Sequence, residues 1–143
     1  MTVKAILSRK GSDVATIAPT ASLSQAVKVL AERRIGALVV TGADNRVAGI
    51  LSERDIVRVL AARGPDALLD NVAAVMTRKV STCTEDETVA VIMERMTEGK
   101  FRHLPVVEQG RLAGIISIGD VVKLRVEEIE GESNALREYI ATA

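Results

Sequence analysis

The chain has 143 residues, enough for one ordinary domain or two small lobes, and its 48% hydrophobic and 27% charged residues are typical of a globular fold. Its 19 Lys and Arg residues balance its 19 Asp and Glu residues, so no net positive field attracts nucleic acid or an anionic membrane. Aromatic residues make up 1%, which argues against a base-stacking surface for single-stranded nucleic acid. We therefore expect neither nucleic acid nor membrane as a partner.

Apolar runs and cysteine content bear on location and on metal binding. The longest apolar runs, such as residues 35–40, are far too short to span a bilayer, and the N-terminus lacks the apolar core of a signal peptide. These features predict a cytoplasmic protein. Cys83 is the only cysteine and His103 the only histidine, so the sequence predicts no intrachain disulfide and no metal site.

The first half of the chain begins with a short strand and an amphipathic helix. After an apolar-periodic start and a polar turn, a brief strand is expected over residues 14–17, ended by Pro19. Ser22 and Gln25 have the spacing of a capping box, which predicts a helix that reaches about Arg34. Apolar residues then recur at the i, i+3, i+4 and i+7 spacing of one buried helix face.

A hairpin and a Ser-x-x-Asp turn follow. Buried strands are expected over residues 37–41 and 47–51, with a tight turn over residues 42–45. Ser52 and Asp55 then lie at the start of the next helix, where the hydroxyl can cap backbone N–H groups and the carboxylate suits the positive end of the helix dipole. Such N–H groups also attract phosphate, and an Asp beside them can accept hydrogen bonds from both hydroxyls of a ribose. One such turn fits either a helix cap or part of a nucleotide site.

The second half of the chain repeats the first. The sequence Arg-Gly-Pro-Asp at residues 63–66 is the clearest break in the pattern. From Val80 the first half recurs at an offset of 66 residues, and after the hairpin the offset becomes 65, so that Ser117 and Asp120 match the first Ser-x-x-Asp turn. A hairpin turn shorter by one residue is a change that structural repeats tolerate. The doubling favours a functional site over a simple cap.

Each repeat is predicted to be β-α-β-β-α over roughly 55 residues, a size at which a single core is marginal. We therefore predict an α+β fold in which the two repeats pack face to face as a pseudo-twofold pair with two clefts between them. The predicted divisions are residues 1–63 for the first repeat, 64–128 for the second and 129–143 for a helical tail. The tail is acidic and then amphipathic, and it is expected to pack on its own module or on a dimer partner, with docking to a separate target protein as an alternative.

These motifs together resemble a known family. The doubled unit, with Gly-Ile-Leu-Ser-Glu-Arg-Asp at 49–55, Leu-Pro-Val-Val at 104–107 and Gly-Ile-Ile-Ser-Ile-Gly-Asp at 114–120, is similar to a pair of cystathionine-β-synthase (CBS) domains, a Bateman module. The resemblance covers about residues 1–128. It implies a regulatory module that binds an adenosine-containing ligand, namely AMP, ADP, ATP, NAD(H) or S-adenosylmethionine, and that often pairs into flat dimers.

The resemblance also implies which residues bind the ligand. Expected on the ribose hydroxyls are Asp55 and Asp120. Expected near the ribose or phosphate are Ser52 and Ser117, and expected near the base are Thr16 and Thr82. The aliphatic residues expected to clamp the adenine are Ile35, Ala37, Ile50, Leu104, Pro105 and Ile115.

Four basic residues near these motifs are candidates for binding a phosphate. Arg54 lies in the first Ser-x-x-Asp turn, where its guanidinium can make a bidentate contact or can simply be solvated. Gly119 takes its place in the second repeat, so the two clefts are predicted to be chemically unequal. Arg102 and His103 precede a predicted strand, and His103 is expected either to make binding pH-sensitive or to serve only as a strand-edge residue. Lys79 is a further candidate, although lysine is commonly a surface residue.

These observations predict a binding protein and not an enzyme. Cys83 and His103 invite comparison with a nucleophilic dyad, but no third group or motif orients them, so no catalytic residue is predicted. The first hypothesis is a stand-alone homodimeric sensor in which an adenine nucleotide acts as regulator, and not as catalytic cofactor, and changes lobe or dimer geometry for an unknown regulated protein. The alternative is a dimeric interaction module with vestigial clefts or a nucleic-acid ligand.

Overall fold

The computed structural model describes residues 1–142, which form a mixed α+β fold of two similar halves. The helices and strands of the first half are α1 (Val3–Lys10), β1 (Thr16–Ile17), α2 (Leu23–Arg33), β2 (Ala37–Thr41), β3 (Val47–Ser52) and α3 (Glu53–Arg63). Those of the second half are α4 (Val72–Val75), α5 (Val89–Gly99), β4 (His103–Glu108), β5 (Arg111–Ser117) and α6 (Ile118–Thr142). Short 3₁₀ turns lie at Ala43–Asn45, inside the predicted hairpin turn, and at Pro65–Leu69, between the halves.

The helix starts confirm the capping signals of the sequence. The Gln25 N–H donates to the Ser22 hydroxyl at 3.1 Å, and the Ser22 N–H donates to the Gln25 side chain at 3.0 Å, so α2 begins at Leu23. In the second half, the Val91 N–H donates to the hydroxyl of Thr88 at 3.3 Å, at the equivalent position. These bonds satisfy backbone donors that have no partner inside the helix.

The two sheets are unequal in size. In the first, β1 pairs in parallel with β2 and β2 pairs antiparallel with β3, whereas the second contains only the antiparallel pair β4–β5. The second repeat was predicted to begin with a strand near Val80, and this prediction is wrong. In the segment that follows Val80, Cys83 alone pairs with β4. Its N–H donates to the Pro105 carbonyl at 3.0 Å, and its carbonyl accepts from the Val107 N–H at 2.8 Å. A single residue in register forms a bridge and not a strand.

Side chains alternate across the strands and so separate core from cleft. Leu38 and Val40 of β2 are fully buried in the first core with the apolar face of α2. Leu104 and Val106 of β4 take the same places in the second core. The residues that alternate with them, including Ala37 in β2 and Pro105 in β4, therefore point to the opposite face of each sheet, which is the face toward the other half.

Two short helices each pack on the core of the other half. Helix α1 contributes Val3, Ile6 and Leu7 to the second core, and the Val3 N–H donates to the Glu87 carbonyl at 2.9 Å. Helix α4 packs on the first core in the same way, and the Val72 N–H donates to the Ala21 carbonyl at 2.8 Å.

The predicted division assigned residues 1–63 to the first repeat along the sequence, whereas in space the helix α1 within this range packs on the second core. The apolar face of α1 was visible in the sequence, but periodicity shows only that a helix is covered and not which core covers it. The helix belongs in space to the second half, and the region around α4 belongs to the first. Because each half is completed by a helix from the other, the two repeats form one interlocked unit.

The hairpins of the two halves meet at the pseudo-twofold axis. Arg46 and Arg111, which occupy equivalent positions at the start of β3 and β5, pair with each other in an antiparallel bridge. Beside them, the Asn45 side chain donates to the Leu112 carbonyl at 3.2 Å. A contact between equivalent residues is what a twofold relation produces, and the prediction of two repeats packed as a pair is confirmed.

Helix α6 is a single element of 25 residues, about 37 Å long at the usual rise per residue. Val121 and Leu124 near its start are buried in the second core. Residues 130–142 are helical and all exposed, so this part of the predicted tail does not pack on its own module, and Ala143 lies outside the described residues. Among residues 1–142, no helix combines the length and the apolar character that a membrane crossing requires.

Candidate ligand-binding cleft

A cleft of about 430 Å³ lies between the two halves. This volume is within the range of roughly 300–1,000 Å³ that is usual for small-molecule sites. The residues that line it are Lys10, Asp13, Val14, Ala15, Arg33, Ile35, Gly36, Ala37, His103, Ile115 and Ser117. Five of these, Ile35, Ala37, His103, Ile115 and Ser117, were predicted from the sequence. The structure thus brings together predicted residues from both repeats.

The second Ser-x-x-Asp turn borders this cleft and forms a capping box at the start of α6. The Ser117 N–H donates to Oδ2 of Asp120 at 2.9 Å, and the Asp120 N–H donates to the Ser117 hydroxyl at 3.2 Å. Oδ2 also accepts a hydrogen bond from Nζ of Lys10 at 2.7 Å. Within residues 1–142, Oδ1 of Asp120 accepts no hydrogen bond, so this oxygen can receive a ligand hydroxyl.

Asp120 is held ionised by its neighbours. Burial would raise the pKa of its carboxyl, but the hydrogen bonds from Lys10 and Ser117 outweigh burial, and the pKa is lowered from its ordinary value. A carboxylate that is ionised at neutral pH is a pure acceptor. It therefore suits the two hydroxyl donors of a ribose.

Lys10 is a cleft residue that sequence reasoning missed and that contacts Asp120. It ends α1 and reaches the cleft because α1 packs on the second half. A signal for it does exist in the sequence. When Val3 of α1 is matched with Val72 of α4, as their equivalent backbone hydrogen bonds require, Lys10 falls on Lys79, which was predicted as a candidate cation. Lys79 itself is exposed.

His103 joins the two halves across the cleft. A Cβ atom placed on Gly36 would lie 3.4 Å from Cε1 of His103 and 3.0 Å from Oε1 of Glu53, so the imidazole packs closely on the Gly36 backbone. Burial, opposed mainly by the negative charge of Glu53, lowers the pKa of His103 from its ordinary value. The ring is therefore neutral at neutral pH and carries one donor and one acceptor nitrogen.

Other predicted residues near this cleft differ in their placement. Thr16 is an exposed residue of β1 next to the lining residue Ala15, and Pro105 is buried opposite Ile115 in the β4–β5 pair. Arg102 is exposed, and its carbonyl accepts the Ile118 N–H at 2.8 Å. Leu104 is fully buried in the second core, on the face of β4 away from the cleft, so its predicted place in the adenine clamp is wrong. Leu104 and Pro105 are adjacent and both apolar, and they point to opposite faces of the sheet because side chains alternate along a strand.

The first Ser-x-x-Asp turn has the same geometry but different neighbours. The Ser52 N–H donates to Oδ2 of Asp55 at 3.0 Å, and the Asp55 N–H donates to the Ser52 hydroxyl at 3.2 Å. No lysine of residues 1–142 forms an ion pair with Asp55. Arg54 is exposed within this turn.

The remaining predicted residues are Ile50, which lies in β3 just before this turn, and Thr82 of the second half. The Ile50 N–H donates to the Thr77 carbonyl at 3.0 Å, and the Thr77 N–H donates back to the Ile50 carbonyl at 2.9 Å, so the segment after α4 pairs with β3. Thr82 is half-buried, and its carbonyl accepts a hydrogen bond from Arg95 at 2.8 Å. The two aspartates therefore have different neighbours: Asp120 contacts Lys10, whereas within residues 1–142 the Asp55 carboxylate accepts hydrogen bonds only from Ser52.

Cys83, the one residue that the sequence offered as a nucleophile, lies away from solvent. Cys83 is buried in the second core, and this burial raises the pKa of its thiol to about 12. A thiol in this state is a poor nucleophile at neutral pH. No cluster of three or more His, Cys, Asp or Glu side chains in residues 1–142 has the arrangement of a metal site.

Known proteins share this architecture. The family model of the CBS domain matches twice, over residues 3–62 and 72–127. A CBS-domain containing protein from Agrobacterium tumefaciens is 50% identical, with a TM-score of 0.84, and the match covers 87% of this chain and 99% of that protein. The mitochondrial CBS domain-containing protein CBSX3 of Arabidopsis thaliana is 37% identical over 80% of this chain, which spans only 58% of that protein.

Two related structures were solved with adenosine compounds. A CBS domain protein from Pyrobaculum aerophilum, in complex with AMP, is 28% identical with a TM-score of 0.73, covering 84% of this chain and 89% of that one. The CBS domain pair of protein MJ0100, in complex with 5′-methylthioadenosine and S-adenosyl-L-methionine, is 28% identical with a TM-score of 0.77, covering 90% of this chain and 98% of that one. The two family matches and the paired fold together establish that this chain belongs to the CBS-domain family and carries a tandem pair of CBS domains.

Proposed function

We propose that this chain is a regulatory module that binds an adenosine-containing ligand in the cleft between its two CBS domains. The observation that carries the proposal is the ionised Asp120, whose carboxylate contacts the cleft-lining residues Lys10 and Ser117. The cleft also has aliphatic wall residues, namely Ile35, Ala37 and Ile115. Aliphatic walls suit the flat faces of an adenine, and the carboxylate suits ribose hydroxyls. The complexes of the two related proteins with AMP and with S-adenosyl-L-methionine support the same ligand class.

Each part of the ligand has a proposed neighbour. Asp120 accepts the ribose hydroxyls, and Ser117 lies beside the ribose or the phosphate. Lys10 and His103 face a phosphate or another polar extension of the nucleoside, since both border the cleft. Thr16 lies near the base. Arg102 and Pro105 complete this first site as a further basic residue and a further aliphatic residue. At an equivalent second cleft beside the first Ser-x-x-Asp turn, we propose that Asp55, Ser52 and Thr82 take the corresponding roles, with Arg54 and Lys79 as the basic residues and Ile50 as the aliphatic one.

The regulatory action follows from the interlocked fold. A ligand held by both halves stabilises one relative position of the two repeats, and a protein that contacts the module can sense this position. We propose that the ligand acts as regulator and not as catalytic cofactor, that the module works as a cytoplasmic homodimer without enzymatic activity of its own, and that the ligand is AMP, ADP, ATP, NAD(H) or S-adenosylmethionine.

A second function is favoured by one specific observation. Both aspartates complete capping boxes, and Lys10 already occupies an oxygen of Asp120, so the turns have a structural role without any ligand. A dimeric interaction module with vestigial clefts has the same geometry. We rank it second because a turn that only caps a helix needs no cleft of this size beside it.

Thermal unfolding with candidate ligands separates the two functions. A ligand at about 100 times its dissociation constant stabilises the folded state by about 2.7 kcal/mol, which corresponds to a rise of roughly 5–10 °C in Tm for a chain of this length. We expect such a rise with at least one of AMP, ADP, ATP, NAD⁺, NADH and S-adenosylmethionine. If none of them moves Tm at millimolar concentration, the interaction module becomes the better account.

A further inference from the structure

Helix α6 has a second apolar face that the rest of the chain does not cover. Its inner face carries Val121 and Leu124, both buried in the second core. The opposite face carries large apolar side chains that are 40–65% exposed, and their exposure increases toward the C-terminal end. They are Val122, Val126, Ile129, Leu136 and Ile140.

These exposed residues follow a heptad pattern. Their spacing alternates between four and three residues once Ser133 is included, from Val122 through to Ile140. Apolar residues with this alternation form the a and d positions of a coiled coil, with 126, 133 and 140 at a and 122, 129 and 136 at d. The pattern extends over nearly three heptads and places one narrow seam along α6. We call these six residues the α6 seam.

Charges that flank the seam select an orientation. In a parallel two-stranded coiled coil, a g residue of one helix lies near the e residue of the next heptad on the other helix. Arg125 and Glu132 are at g positions, and Glu130 and Arg137 are at e positions. The rule places Arg125 against Glu130 of the second copy and Glu132 against Arg137 of the second copy, and by symmetry each pair occurs twice. All of these pairs have opposite charges.

The antiparallel arrangement brings like charges together. When two seams overlap fully in opposite directions, e residues meet e residues and g residues meet g residues. Lys123 would then face Arg137 of the second copy, while Glu130 and Glu132 would each face their own counterpart. Like charges at these positions oppose association.

We propose that two copies of this chain associate through the α6 seam as a parallel, in-register, two-stranded coiled coil. The occupant of the exposed face is a second copy because its flanking charges are complementary to themselves in that orientation. The two modules lie on the outer sides of the coiled coil, since the seam and the residues that contact the core are on opposite faces of α6. The proposal does not depend on ligand binding.

The first test measures the oligomeric state of the full chain by light scattering over a range of concentrations. We expect a dimer for the parent and a dissociation constant raised at least about tenfold in Leu136→Glu, because each copy would bury a charge in the seam. Leu136 is 59% exposed in the single chain, so this substitution leaves the fold intact. Leu69→Glu is the matched control, because Leu69 is 82% exposed on a different element and should not affect association.

The second test identifies the orientation by disulfide cross-linking. Ile140→Cys places a thiol at an a position near one end of the seam, where it meets its own counterpart only in the parallel arrangement. We expect cross-linked dimers from this variant under mild oxidation, and none from Glu138→Cys on the outer side of the helix. Cys83 adds no background because it is buried.

Three results would overturn the proposal. A parent that stays monomeric would assign the seam to a different partner. A dimer that Leu136→Glu does not weaken would place the interface on another surface. A dimer that Leu136→Glu weakens but Ile140→Cys does not cross-link would indicate the antiparallel arrangement or another use of α6.

Discussion

Nζ of Lys10 donates to Oδ2 of Asp120 at 2.7 Å, although 110 positions separate the two residues in the chain. The contact exists because α1 packs on the second half of the fold and delivers its last residue to the cleft. It joins the first helix of one repeat to the last turn of the other. A ligand that binds Asp120 must share or rearrange this ion pair, so Lys10 is in a position to respond to binding.

Replacing Lys10 tests its role in the cleft. In Lys10→Met, loss of the ammonium group should raise the pKa of Asp120 toward its ordinary value, as a carboxyl-detected NMR titration would show. If Lys10 faces the phosphate, affinity for AMP should fall while affinity for adenosine is unchanged or rises. Lys4→Met is the matched control because Lys4 is an exposed lysine of the same helix α1 and does not line the cleft. Equal losses for AMP and adenosine would contradict a phosphate role.

His103 should make the stability of the free protein pH-dependent. Its folded pKa is lowered, chiefly by burial, whereas an unfolded histidine titrates near about 6.5. As the pH falls below about 6.5, the unfolded state takes up a proton that the folded state refuses, so the free energy of unfolding decreases until the folded pKa is reached. His103→Gln should lose this part of the pH dependence in urea titrations between about pH 7 and pH 5. A variant with the parent's pH profile would show that His103 titrates normally.

Two equivalent glycines should respond differently to alanine. At Gly49 a Cβ would lie 2.9 Å from the backbone carbonyl of Thr77, whereas at Gly114 its close neighbour is Cδ2 of the flexible Leu7 side chain at 2.7 Å. We expect Gly49→Ala to reduce the free energy of unfolding by about 1–3 kcal/mol and Gly114→Ala by less, because a side chain can move where paired backbone cannot. Gly42→Ala, with open space around it, is the control. Equal costs at Gly49 and Gly114 in urea unfolding would contradict this packing.

The thiol of Cys83 should be protected in the folded protein. Burial raises its pKa to about 12, so almost no thiolate is present at pH 8. A disulfide reagent such as Ellman's should therefore modify native protein only as fast as the second core opens, and it should modify urea-unfolded protein at once. Rapid modification under native conditions would place Cys83 outside the core.

The sequence predicted the local structure well where a signal was local. Ser22 and Gln25 specified the start of α2, and the short apolar run over residues 37–41 specified the buried strand β2. The doubled Ser-x-x-Asp turn was enough to indicate the repeat, the pairing of the halves and the position of Asp120 beside a cleft.

What the sequence did not reveal depends on long-range packing. Lys10 was missed because nothing in residues 1–10 shows that their helix crosses to the second core. Leu104 was placed in the cleft because the sequence does not show which of the adjacent apolar residues Leu104 and Pro105 points into the core. The strand expected near Val80 shrank to the Cys83 bridge because pairing requires register with a distant strand.

The measurement that tests the central claim most directly is calorimetric titration of the parent, Asp120→Ala and Asp55→Ala with AMP, ATP, NAD⁺ and S-adenosylmethionine. Loss of one carboxylate should remove hydrogen bonds to ribose hydroxyls and leave the Ser cap of the helix in place. We expect the parent to bind at least one of these compounds and Asp120→Ala to bind it about tenfold or more weakly, since charge-assisted hydrogen bonds contribute about 1.5–3 kcal/mol each. Both variants binding as tightly as the parent would contradict the account and reduce the two aspartates to helix caps.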